Sequence, residues 1–257
     1  MEEQVKKVNQ LEIVYAYKKA NKTNKYLVFL HGWGQNKECF LPVIDTNFPV
    51  NIMIIDLPGF GKSSEPKSYL QDDKTFITKQ YAQTIEKLLS ELQAKEIILV
   101  AHSFGARISF WLAATKLPIT KMLLTGAAGI KPKRTYKYYL SVYGYKFQKI
   151  LLKTPFYWQY QEDILTNSGS IDYKNASEIM KKVLIRSVNE DLKFLFPKIK
   201  QQVVLFWGTD DDQTPLSDGI YMQKNITNTN LIQVKGSHFA FLEYPELFKK
   251  ELKKLIV

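Results

Sequence analysis

Short apolar runs bounded by glycine, proline or polar clusters alternate along the chain with longer stretches in which apolar side chains recur every three or four residues. Runs of the first kind predict strands and those of the second predict helices. LEIVYAY (residues 11–17) alternates apolar and polar positions and reads as a half-exposed strand beginning an antiparallel edge. YLVFL (26–30), NIMIID (51–56), EIILVA (96–101), KMLLTG (121–126), QVVLFWG (202–208) and NLIQVKG (230–236) are mostly continuous and β-branched, as strands buried on both faces should be. Between them, Phe76, Ile77, Tyr81, Ile85, Leu88, Leu89 and Leu92 form one face of a helix over 75–93, and residues 104–117 and 243–256 read as further helices. This alternation predicts an α/β class: a doubly wound, mostly parallel β-sheet with helices on both faces.

One interval breaks the rhythm. Residues 131–200 hold no convincing buried strand, and are read as a largely helical insertion after KMLLTG, with residues 1–130 and 201–257 forming the core domain. Asn175 and Glu178 are spaced as a capping box, followed by Ile179, Met180, Val183, Leu184 and Val188 on one helical face. The insertion carries 14 Lys plus Arg against 6 Asp plus Glu, a net +8 of the chain's +11, and residues 136–160 hold ten of its 34 aromatic residues.

That charge raises nucleic acid as a partner. The basic residues are interleaved with acidic ones and no base-reading motif accompanies them, so a lysine-rich solvated surface is the expectation and no nucleic acid is expected. No apolar run approaches the roughly 18 residues that suggest a membrane span, and MEEQVKKVNQ lacks the apolar stretch of a secretory signal. With a single cysteine, Cys39, an internal disulfide is excluded, and a soluble, cytoplasmic protein is expected. Three scattered histidines and one cysteine give no metal-ligand spacing, so neither a metal nor a cofactor is expected. Gly61-Lys62-Ser63 resembles the end of a phosphate-binding loop, but the position five residues before Gly61 is Asp56, not glycine.

The chemistry is carried by LVAHSFGARISFW (99–111), where a strand pattern breaks at Ser103 into a helical one. This is the strand-turn-helix context of a nucleophile turn, whose usual form is Gly-x-Ser-x-Gly. Here Ala101 takes the first glycine position and Gly105 the second. Ala101 adds only a methyl group at a position that needs a small residue. A serine opening a helix is also a common N-cap, so the motif alone leaves both readings open. A nucleophilic serine needs a base. Of the three histidines, His102 is adjacent in the turn and would point away from the serine hydroxyl, and His31 ends a strand directly before Gly32. His238, in VKGSHFAF just past the last predicted strand, would lie at the carboxyl edge of the sheet beside Ser103. A carboxylate to orient it should follow a strand, in the order Ser, Asp, His. Asp210, Asp211 and Asp212 after QVVLFWG all qualify, and spacing favours the middle one.

These residues resemble the α/β-hydrolase superfamily, in which Gly-x-x-Asp followed four residues later by Pro carries the triad acid; here Gly208, Asp211 and Pro215 match. HGWG (31–34), DLPGFGKSS (56–64), the AHSFG turn and GSHFAFLEYPELF (236–248) match further marks, so the resemblance spans nearly all the chain except 131–200, the interval that forms the variable helical cap in that family. It implies a catalytic triad of Ser103, Asp211 and His238. The helix N-terminus offers the backbone N–H of Phe104 as one oxyanion donor, and the resemblance implies that of Trp33 as the other.

A serine, where an aspartate would suggest halide or epoxide chemistry, points to acyl substrates, chiefly carboxylic esters of small molecules. Carbon–carbon bond hydrolysis, thioester cleavage, acyl transfer, aminopeptidase activity and a non-catalytic ligand receptor remain open within the resemblance. The cap's aromatic stretch could line an apolar acyl pocket or simply pack the cap on the core, and its lysines could attract an anionic group or an anionic membrane surface, a peripheral contact.

Overall fold

The strand Lys25–Leu30 shows how the protein is layered. In the computed structural model, which describes residues 1–132 and 171–256, its alternate side chains enter two separate cores: Val28 and Leu30 one, Leu27 and Phe29 the other. All four are fully buried, as a continuous apolar strand sandwiched between helices must be. The aromatic stretch at 136–160 lies outside the described residues.

The strands are β1 (Glu2–Val8), β2 (Leu11–Lys18), β3 (Lys25–Leu30), β4 (Asn51–Ile55), β5 (Glu96–His102), β6 (Ile119–Thr125), β7 (Gln202–Gly208) and β8 (Thr229–Val234). They form one sheet in the order β1-β2-β4-β3-β5-β6-β7-β8. β1-β2 and β2-β4 pair antiparallel and every other neighbour parallel. Helices α1 (Ile77–Ser90), α2 (Phe104–Leu112) and α5 (Leu216–Asn225) cover one face, and α7 (Pro245–Ile256), with the 3₁₀ turn Lys37–Val43, covers the other. The chain winds from β3 outward to β4 and then back past β3 to β5, so the loops after β3 and β5 diverge and leave a crevice at the carboxyl ends of the strands.

Four elements depart from the expectation drawn from the pattern. β1 is a strand although its residues are mostly polar, because it pairs only with β2 at a solvated edge, where its exposed charged side chains discourage further pairing. β8 is half-exposed rather than buried on both faces, being the opposite edge. α5 was not evident because only Gly219 and Met222 are buried on it. The predicted helix at 243–256 is divided at Pro245, which begins α7 after the short helix α6 (Ala240–Glu243).

In the interval 131–200, the described part is helical: α3 (Ile171–Asn175), α4 (Glu178–Asn189) and a 3₁₀ turn at Lys193–Lys198. The cap of α4 is Ser177, whose hydroxyl accepts from the Met180 amide at 3.2 Å, rather than Asn175, which closes α3. Among the described residues no helix is long and apolar enough to cross a membrane.

Candidate active site

Ser103 leaves β5 with φ 48° and ψ −106°, a backbone conformation that L-residues rarely adopt. Three backbone hydrogen bonds hold it there: Ser103 N donates to Thr125 O (3.0 Å), while Ser103 O accepts from Ala106 N (3.0 Å) and Ala128 N (3.2 Å). Gly105 allows α2 to start against β3, since a Cβ there would fall inside contact distance of the Leu30 carbonyl oxygen and 2.9 Å from that of His31. Ala101 is fully buried in the apolar core, which accommodates its methyl group. The side chain of Ser103 makes no capping hydrogen bond to α2, so the N-cap reading does not account for this serine. It faces a cavity of about 790 Å³ whose described lining includes Trp33, Phe104, Arg107, Thr214 and Tyr221.

Of the three adjacent aspartates, only Asp211 is buried. Its Oδ1 accepts from the amides of Gln213 (2.9 Å) and Thr214 (2.8 Å), and its Oδ2 from the Thr214 hydroxyl (2.8 Å) and from His238 Nδ1 (2.8 Å). Burial pushes the Asp211 carboxyl up, but the hydrogen bonds from His238 and Thr214 outweigh it and hold the group below its ordinary range. With the Nδ1 proton directed at Asp211, Nε2 of His238 keeps its lone pair. The ring is set by packing as well. Gly126, at φ 49°, lies so close that a Cβ would sit 2.9 Å from His238 Nδ1, and the ring of His102 lies 4.6 Å away centre to centre.

The other two histidines are occupied elsewhere. His31 donates from Nδ1 to Gly32 O (2.7 Å) and accepts from Leu57 N at Nε2 (3.0 Å). His102 donates to Thr125 O (3.1 Å). Burial draws His31 down to about 4 and, with the neighbouring His238 adding to it, His102 to about 3, so both rings are neutral.

The structure therefore joins two of the three predicted triad residues directly. Among the described residues no hydrogen bond links Ser103 to His238. The Trp33 and Phe104 rings pack edge to face at 5.4 Å, bringing the loop after β3 beside the turn after β5. Neither backbone amide donates to another described residue, whereas the amide of Gly32, just before Trp33, is taken by Gln35 Oε1 at 2.8 Å. Two residues escaped the sequence reading. Thr214 braces Asp211, and the Asp-x-x-Thr spacing of a local side-chain turn was its only signal. Arg107 reaches the cavity from a buried face of α2, and nothing in its residue type marked it.

The turn at 56–64 is closed on a carboxylate rather than a phosphate. Asp56 accepts from Lys37 N (2.7 Å), Lys37 Nζ (2.9 Å) and Lys62 N (3.1 Å), and the Lys62 ammonium pairs with Glu3 at 2.7 Å. Among the described residues no three His, Cys, Asp or Glu side chains are grouped to hold a metal ion.

Similarity to known proteins bears on what this geometry belongs to. The chain is 23% identical over 265 residues to an uncharacterized hydrolase, YugF, of Bacillus subtilis, covering 95% of this chain and 94% of that protein. It is 25% identical over 250 residues to the pimeloyl-[acyl-carrier protein] methyl ester esterase of Shewanella woodyi, covering 86% and 90%. The esterase EaEST of Exiguobacterium antarcticum shares the fold, with a TM-score of 0.72 at 19% identity over 98% of each chain. The alpha/beta hydrolase fold family matches residues 25–163, more than half of the chain, and the chain belongs to that family.

Proposed function

We propose that the protein is a serine hydrolase that cleaves a carboxylic ester of a small molecule through an acyl-enzyme on Ser103. The observation that carries this reading is the buried Asp211–His238 hydrogen bond at 2.8 Å, set beside a serine held at positive φ with no capping role. In the reaction His238 Nε2 takes the Ser103 proton as the hydroxyl oxygen attacks the ester carbonyl, and the Trp33 and Phe104 amides receive the oxyanion. As the tetrahedral intermediate collapses, His238 returns the proton to the departing alkoxide. Water then repeats the sequence to release the acid. Asp211 fixes the imidazole orientation and stabilises its cation. The Ser103–His238 hydrogen bond closes when substrate is bound, since such bonds are often long without substrate.

Residues 131–200 form the cap in this reading, and α4 with the following turn contributes Leu184, Val188 and Lys193 to the cavity wall. The Shewanella and Exiguobacterium proteins are both esterases, which favours an ester over a carbon–carbon bond or a thioester. The missing Ser103–His238 hydrogen bond favours one second reading, a ligand receptor that does not turn over. Labelling with a fluorophosphonate separates the two: one adduct on Ser103, abolished in Ser103→Ala and strongly slowed in His238→Ala, is expected. A folded, unlabelled wild-type protein overturns the enzyme reading.

A further inference from the structure

Arg107 is a charged side chain on α2, the most buried helix among the described residues. It stands four residues after Ser103 on α2, one helical turn or roughly 6 Å along the axis, and is 4% exposed, yet it lines the same cavity as Ser103. Its one hydrogen bond among the described residues runs from Nη1 to the backbone carbonyl of Glu190, at 2.9 Å. No carboxylate lies within ion-pair distance of it among the described residues. The carboxylates of Glu190, Asp191 and Asp218 act on it only through space. The Glu190 carboxylate is committed to Ile77 N, Thr78 N and the Thr78 hydroxyl, and Asp191 pairs with Lys193 at 3.0 Å. Burial pushes the Asp218 carboxyl up, toward its neutral form, against the pull of Arg107 and Lys193.

A guanidinium removed from water normally has a carboxylate against it, because desolvation of an unpaired cation is costly. Burial draws Arg107 down only to about 10, so it remains charged at neutral pH. Arg107 is part of the cavity lining, and its planar fork has donors beyond the Nη1 bond to Glu190 O, which suits bidentate contact with a carboxylate. We infer that Arg107 is the specificity-determining residue of this site: it binds a free carboxylate on the acyl part of the substrate, so the preferred substrate is a half-ester of a short dicarboxylic acid. The inference rests on the ester-hydrolase reading for the bond that is cleaved, but not for the anion that is bound.

The test compares monomethyl glutarate with methyl pentanoate, which have the same length and differ in the terminal carboxylate. The full chain and its Arg107→Gln and Arg107→Lys variants are used. Wild type is expected to favour the anionic ester in kcat/KM by about tenfold or more, and Arg107→Gln to lose about 10²-fold on that ester, mainly through KM. Activity on methyl pentanoate should stay within about threefold, and Arg107→Lys should recover part of the anionic preference. Where the esters are turned over, equal losses on both, or no wild-type preference for the anionic one, overturn the assignment and leave the hydrolase reading standing. Calorimetric titration of Ser103→Ala with monomethyl glutarate supplies a readout without turnover. Binding that weakens about tenfold or more on adding Arg107→Gln sustains the anion site even if wild type hydrolyses neither ester, a result that would remove the hydrolase reading alone.

Discussion

At the carboxyl end of the sheet, position is enforced by backbone approaching backbone or ring: Gly105 against the Leu30 carbonyl, Gly126 against the His238 imidazole, and Ser103 held by three main-chain bonds. Residues 171–200, which lie over that end, are tied down by individual side chains that cross to other elements. Arg186 donates to the carbonyls of Asp72 (2.7 Å) and Thr75 (2.8 Å), and the Glu190 carboxylate accepts from the first amides of α1, whose own N-cap residue, Phe76, makes no side-chain bond. The first arrangement fixes atoms to within tenths of an ångström and tolerates almost no added volume. The second can be altered one side chain at a time.

The contrast can be tested at several strengths. The sharpest test is at the candidate base: His238→Ala is expected to lower kcat/KM for an ester by about 10³-fold or more without lowering stability by a comparable factor, checked by steady-state kinetics beside a urea melt. Gly105→Ala should cost about 3 kcal/mol in the same melt, the upper part of the range for overpacking, because the added methyl meets backbone that cannot swing aside. If Gly105→Ala is tolerated freely, the turn is looser than its geometry implies.

Acid should act on the buried end first. His31 and His102 titrate in the unfolded chain near 6.5 but in the folded protein only near 4 and 3, so between those limits the unfolded state binds more protons. Their contribution to stability is therefore complete above pH 6.5 and declines as pH falls through the window, by about 1 kcal/mol per pH unit for each ring. Urea midpoints from pH 7 to 4.5 should show this decline, and His102→Phe should make it shallower. A midpoint that is flat across this range would contradict the buried neutral rings. Glu190→Ala, the mildest of the four, should destabilise by about 1–2 kcal/mol through lost capping of α1, and Glu190→Gln by less, because its amide oxygen can still accept. Arg107-dependent selectivity in Glu190→Gln should persist, since Arg107 bonds to the backbone of that residue.

How far the sequence reached differs from element to element. Buried strands such as YLVFL and EIILVA were legible because two apolar faces leave an unbroken apolar run. β1 was not, because an edge strand has no buried face to impose a pattern and is held by main-chain pairing with β2. α5 was missed because a helix with two buried positions carries little periodicity. At the candidate site, Ser103 was legible from the strand-turn-helix pattern around it and His238 as one of three histidines placed just past a strand, whereas the roles of Thr214 and Arg107 depend on partners that only the fold supplies.

The order of the buried strands and of the amphipathic helices between them, the doubly wound class and the loops on which Ser103, Asp211 and His238 reside follow from the sequence alone, because they depend on periodicity and on chain order along neighbouring residues. Tertiary structure decided what depends on distant groups sharing one low-dielectric space. It buried Asp211 rather than Asp210 or Asp212 and gave it a hydrogen bond from a ring 27 residues away. It left the Ser103 hydroxyl without a capping bond, and it turned Arg107 toward the cavity with a carbonyl 83 residues away as its partner. None of these can be read locally, because hydrogen bonding and desolvation are settled only when those elements meet.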